Sequence, residues 1–302
     1  MASKENVRAR QLLEEFVAVL TPTDNQPTPD ELRAICDHWM DINFPAPPAL
    51  YTEKIDADGV PCLWASMPGT SAERTILYLH GGAYLLGSPN GYRGFAAALS
   101  QATDARVLLV DYRLAPENPH PAALDDATTA YRWLLKATRY PALIVVAGES
   151  SGGGLALAAL AALRAAGDDL PGAAVCISPW VDMTLSGASI DDNAQLDPFI
   201  SKFVLEMMAG AYLQGQDPET PSASPLFADL TGLPPTLILV GTNEALLDDS
   251  TRLADRARNA GVTVTLNVAD DMYHMWPIMS AFLPEARNAV QEIGRFVRNH
   301  TN

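Results

Sequence analysis

Short apolar runs separated by helix-length segments fill the sequence from residue 75 onward, and this alternation limits the chain to a narrow set of folds. Residues 75–79, 107–110, 143–147, 173–177, 237–240 and 262–268 are apolar enough and short enough to be strands. Helical patterns run over 92–102, 122–138, the stretch beyond Ser151, 250–259 and 284–297. Strands that are apolar on both faces need helices on both sides, so the alternation predicts an α/β chain with a largely parallel sheet. Residues 51–57 and 60–66 are joined by Asp58-Gly59, a pair suited to the positive φ values of a two-residue turn, and add antiparallel strands at the start of the sheet.

Two segments fall outside this grammar. Residues 4–20 place Leu12, Leu13, Phe16, Val17 and Leu20 on one helical face, and a turn-rich stretch, 21–29, ends the helix. Thr28-Pro29-Asp30-Glu31 then supplies a capping threonine, proline at the first helical position and glutamate three residues after the cap, which predicts a second helix to about Met40. A helix pair that precedes all the strands needs its own place to bury its apolar faces, so it is expected to pack as a cap on the main body, with the covering of a hydrophobic edge as the alternative. The other exception, 180–235, is too long for an ordinary loop and is helical around 203–212. The expected organisation is an N-terminal helical cap segment, 1–48, and a main domain, 49–302, with a cap insertion at about 181–220.

Charge and cysteine content narrow the partners. The 302 residues carry 36 acidic against 20 basic side chains, a net charge of −16 without basic runs, which argues against nucleic acid and anionic membranes. Cys36, Cys62 and Cys176 are odd in number and far apart, which suits reduced thiols better than a disulfide framework, and no zinc-type spacing occurs. Residues 1–10 are polar, and no stretch approaches the length needed to span a bilayer, so a cytoplasmic protein is expected.

The chemistry centres on 148–154, Gly-Glu-Ser-Ser-Gly-Gly-Gly, where a strand meets a helix through a sharp turn. Gly148 and Gly152 let such a turn close and hold the Ser150 hydroxyl clear of the sheet, as a nucleophile elbow does; a glycine-rich turn also suits a phosphate on its helix N-terminus. A serine nucleophile needs a base, and the base needs a carboxylate to fix its tautomer. His274 lies between the strand at 262–268 and the final helix, where a serine–acid–histidine order puts the base. The acid belongs after the preceding strand: Glu244 is the expected residue, and Asp248, at the start of the next helix, its competitor. The strand at 75–79 runs into His80-Gly81-Gly82-Ala83-Tyr84, and the N–H groups of Gly81, Gly82 and Ser151 are the expected oxyanion donors, each worth roughly 3 kcal/mol. His80 is expected to hydrogen-bond this loop rather than act as a base. Arg113 and Glu117 are expected to pin the loop beneath it, paired with each other or with nearby groups. Tyr84, Trp180, Asp182, Met207 and Met208 are candidate pocket residues, with the core as the alternative place for each.

These residues resemble the bacterial hormone-sensitive-lipase-like carboxylesterases of the α/β-hydrolase fold. The resemblance rests on the loop 80–84 with Gly87, on Asp111-Tyr112-Arg113-Leu114-Ala115-Pro116-Glu117, and on the elbow at 148–153. Ser178-Pro179-Trp180 and Ser224-Pro225-Leu226 extend it, so that it covers about residue 50 to the C-terminus. It implies Ser150 as nucleophile, His274 as base and Gly81, Gly82 and Ser151 as oxyanion donors, and it implies that the N-terminal helices belong to a cap. Three departures stand out: Ala83 replaces a third glycine, Glu149 and Ser151 replace aspartate and alanine in the elbow, and Glu244 occupies the position of the catalytic aspartate. The function expected is a serine carboxylesterase acting on small esters with short acyl chains, without metal or organic cofactor. A lactone hydrolase with the same residues is the alternative. A non-catalytic receptor on this fold is a remote one, because it would not need both Ser150 and His274. A homodimer through the last sheet edge and final helix follows by analogy only.

Overall fold

The computed structural model describes residues 2–21 and 27–301; residues 22–26, within the expected turn-rich stretch, lie outside it. The strands are β1 (Tyr51–Ala57), β2 (Val60–Ser66), β3 (Thr75–Leu79), β4 (Arg106–Val110), β5 (Ile144–Glu149), β6 (Ala173–Ile177), β7 (Thr236–Gly241) and β8 (Val264–Ala269). They form one eight-stranded sheet in the order β1-β2-β4-β3-β5-β6-β7-β8. The hairpin β1–β2 and the pairing of β2 with β4 are antiparallel, and every pairing from β4 to β8 is parallel.

Alternate residues of each central strand feed opposite cores, as the two-residue period of a strand requires. Leu77 and Leu79 of β3 and Val146 of β5 face one cluster, shared with α4 (Ala122–Thr138), α5 (Ser151–Ala166) and α8 (Leu247–Asn259). Ile76, Tyr78 and Val145 face the other, shared with α3 (Arg93–Thr103) and α9 (Pro284–His300). The centre of the sheet is therefore dry on both sides, which explains why its central strands read as unbroken apolar runs, whereas the edge strand β1 is largely exposed. The chain has the α/β-hydrolase arrangement of a mostly parallel sheet between helical layers.

The two irregular segments are helical. At the N-terminus, α1 (Asn6–Leu20) and α2 (Pro29–Asn43) pack with Phe16 stacked on Trp39 at 4.3 Å. The capping box opens α2: Thr28 Oγ1 accepts from the Glu31 N–H, and the Glu31 carboxylate accepts from the Thr28 N–H at 2.8 Å. Between β6 and β7 lie the single turn α6 (Ser189–Asp192) and α7 (Lys202–Leu213). None of the described helices is long and apolar enough to cross a membrane.

Candidate active site

β5 stops at Glu149, and α5 starts at Ser151, so Ser150 alone makes the turn, with φ 54° and ψ −125°. For a residue with a Cβ this costs on the order of 1–3 kcal/mol. The surroundings hold it there: the Ser150 N–H donates to Ile177 O at 2.9 Å, and its carbonyl accepts from Gly154 and Trp180. A Cβ at Gly152 would collide with the carbonyls of Leu79 and His80, so only glycine lets α5 begin this close to β3.

Glu244 and His274 are both fully buried. Glu244 Oε1 accepts from the Gly241 N–H at 2.5 Å and from Ser178 Oγ at 2.8 Å, while Oε2 lies 3.0 Å from His274 Nδ1. A carboxylate can only accept, so Nδ1 carries the proton and Nε2 keeps its lone pair. Among the described residues Nε2 has no hydrogen-bond partner, and His274 and Ser150 line the same pocket. Burial alone would lower the pKa of His274, but the hydrogen bond and charge of Glu244 outweigh it and leave the pKa raised. Burial holds Glu244 above the usual carboxylate range, against the pull of His274.

Asp248 is not part of this group. It lies in the first turn of α8 and makes a reciprocal pair with Ser189, accepting from the Ser189 N–H and donating its own backbone N–H to Ser189 Oγ. Ser178, by contrast, counted only as a landmark in the sequence. Its position at the end of β6, between the strands that carry Ser150 and lead to Glu244, was the available signal. Its hydroxyl donates to Glu244 and accepts from the Met275 N–H, so one side chain orients both Glu244 and the loop that carries His274. Asp197 and Asn193 of the segment between β6 and β7 also hold the loop of Glu244, at the Ala245 N–H and the Glu244 carbonyl.

The loop after β3 requires a correction. The Gly81 N–H donates to Glu149 Oε1 at 2.6 Å and is therefore not available to a substrate. The following two residues turn toward the pocket instead, Gly82 with φ 110° and Ala83 with φ 54°. Among the described residues, the N–H groups of Gly82, Ala83 and Ser151 have no acceptor within the chain. The glycine count singled out Gly81, whose N–H is engaged, whereas the N–H of Ala83 is left without an acceptor among the described residues. His80 binds the loop through Nδ1 and Gly81 O at 2.7 Å and stacks on Tyr112, and burial lowers its pKa to about 4.

Trp180 and Met208 line the pocket; the other candidates do not. Tyr84 is buried in the core, stacked on Tyr212 at 3.8 Å. Asp182 is buried too, taken up by Thr184, Ser186 and Arg252. Met207 is 51% exposed, because α7 buries the stripe Leu205, Ala209 and Tyr212 and turns Met207 to its outer face. The sequence reading missed Phe16, Leu20, Cys36 and Met40 from α1 and α2, together with Phe199, whose ring stacks on His274 at 5.8 Å. The apolar stripe of α1 signalled burial without saying against what.

The sequence matches the family model described as alpha/beta hydrolase fold over residues 76–278. An acetyl-hydrolase of Streptomyces hygroscopicus is 47% identical over 234 residues, 78% of this chain and 78% of that protein. An esterase of Acinetobacter venetianus is 36% identical over 279 residues, 92% of this chain and 91% of its own. A crystal structure of an esterase from the bacterial hormone-sensitive lipase family matches with a TM-score of 0.95 at 42% identity, covering 100% of both chains. The chain belongs to this family of α/β-hydrolases. In this hormone-sensitive-lipase-type chain the segment 111–117 is tied to two different neighbours. Arg113 pairs with Asp126 of α4 at 2.8 Å, and Glu117 with Arg33 of α2 at 2.6 Å. The two charges therefore do not pair with each other, and Arg33, which also donates to Leu85 O, fastens α2 to the loop of Gly82 and Ala83.

Proposed function

We propose that this chain is a serine carboxylesterase that hydrolyses small esters with short acyl chains through an acyl-enzyme. Its class, a carboxylic ester hydrolase, is that of the family. The observation that carries the rest is the buried Glu244–His274 pair, whose free Nε2 and the Ser150 hydroxyl line one pocket. In this scheme Ser150 Oγ attacks the ester carbonyl as its proton passes to His274 Nε2, and Glu244 stabilises the imidazolium. The N–H groups of Gly82, Ala83 and Ser151 receive the oxyanion. His274 then protonates the departing alkoxide, leaving an ester on Ser150. Water, losing a proton to His274, attacks that ester, and collapse releases the acid and restores the serine.

The helices α1 and α2 and the insertion carrying α6 and α7 act as the cap. The restriction to short acyl chains rests on the apolar walls that α1, α2 and α7 bring against Ser150, and on the acetyl-hydrolase name of the Streptomyces relative. The test is kcat/KM for p-nitrophenyl acetate, butyrate and octanoate, beside a panel of lactones. Acetate or butyrate should lead and octanoate fall behind. A lactone preferred over every linear ester would make the protein a lactone hydrolase. No turnover of any of them, with no reaction toward a serine-directed phosphonate, would refute the serine mechanism.

A further inference from the structure

Glu149 precedes the nucleophile, and the scheme above gives it no task. Its carboxylate is fully buried and takes three donors: the Gly81 N–H and Tyr92 Oη on Oε1, at 2.6 and 2.5 Å, and Tyr78 Oη on Oε2, at 2.8 Å. A Cβ at Gly81 would collide with this carboxylate, which accounts for the glycine there. Burial raises the Glu149 pKa to about 7, against the pull of these donors. Keeping a carboxylate out of water is unfavourable even when it is hydrogen-bonded, and a leucine of similar size would not carry that cost at the same place.

Its position along the chain suggests that geometry. Glu149 and Ser151 flank Ser150, and both reach the loop that follows β3. Glu149 takes the N–H of Gly81, and Ser151 Oγ takes the N–H of Tyr84 at 3.3 Å. The two N–H groups between these anchors, those of Gly82 and Ala83, are the ones left facing the pocket. The residues on either side of the nucleophile thus bracket the oxyanion donors.

We propose that Glu149 is a positioning residue that fixes the Gly82 and Ala83 donors relative to Ser150 by holding the N–H of Gly81, with the Ser151 hydroxyl as a weaker second anchor. The proposal rests on the esterase reading and deepens it. Because Glu149 is bonded directly to Ser150, the length of its side chain sets the spacing between nucleophile and donors, and a misplacement of about 1 Å in such a site costs on the order of 100-fold in rate.

Glu149→Leu removes the acceptor at similar volume, and Glu149→Gln keeps an oxygen for the Gly81 N–H. With p-nitrophenyl acetate, Glu149→Leu should lower kcat roughly 10- to 100-fold with KM within about twofold of wild type. A trifluoromethyl ketone, whose hemiketal on Ser150 mimics the oxyanion, should lose affinity by the same factor. Glu149→Gln should recover to within about fivefold of wild type. Should the leucine variant fail to fold, the Gly81 amide proton decides by NMR: it should lie far downfield in the wild type and move upfield in Glu149→Gln. Wild-type kcat and hemiketal affinity in Glu149→Leu, or an unmoved Gly81 resonance, overturns the proposal. A wild-type protein inactive on every ester would instead sink the esterase reading itself, so the two failures are distinct.

Discussion

On the sheet side of the pocket, Glu244 accepts three hydrogen bonds, Ser178 links Glu244 to the loop of His274, and Glu149 ties β5 to the loop of Gly81. On the helical side, Phe16, Met40 and Met208 meet the same space with apolar surface only. The difference predicts two kinds of sensitivity. A hydrogen-bonded constellation fails when one member is displaced, because the partners left behind are buried and unpaired. An apolar wall can repack, so changes there should alter which acyl chain fits and leave the chemistry intact.

Among the residues that support Ser150, the largest effect should come from Glu244. Glu244→Gln, which offers His274 Nδ1 the wrong partner, should lower kcat by about 10³- to 10⁴-fold with little change in KM. Asp248→Asn should stay within about threefold, since that side chain is engaged with Ser189. The reverse order would break the assignment. Next is the pH profile. Only neutral imidazole takes the serine proton, so kcat/KM must fall as pH drops through the His274 pKa, which lies above its ordinary 6.5. The acid limb of the wild-type profile should therefore lie above that value and move to lower pH in Glu244→Gln.

On the helical side, Met208→Ala should raise the octanoate-to-acetate ratio of kcat/KM by roughly 3- to 10-fold, as the loss of a few buried methylenes allows. Met207→Ala, on the outer face of α7, should leave the ratio unchanged. A change in acetate kcat as large as that of Glu244→Gln would erase the distinction between the two sides. A small effect is expected of Ser151→Ala, within about threefold in kcat, because it removes the long hydrogen bond from the Tyr84 N–H and leaves the backbone N–H of residue 151 in place.

What the sequence disclosed follows the same divide. The strands, the sharp turn at Ser150 and the meeting of Glu244 with His274 were legible because each depends on local patterns: apolar runs, glycines at a turn, a histidine in the last loop. Contacts between distant segments were not. That Gly81 is spent on Glu149, that Arg113 and Glu117 take Asp126 and Arg33, and that Ser178 holds the acid depend on which loop ends meet after folding. The helical wall was half legible. The stripes of α1 and α2 announced a buried face, but the rotation of α7, which admits Met208 and excludes Met207, is set by packing against the core through Leu205 and Tyr212.

The most direct measurement is mass spectrometry after treatment with a serine-directed phosphonate. A single adduct should form, map to Ser150, persist in Ser151→Ala and vanish in Ser150→Ala together with ester hydrolysis. An adduct on Ser151, or full hydrolytic activity in Ser150→Ala, would contradict the account.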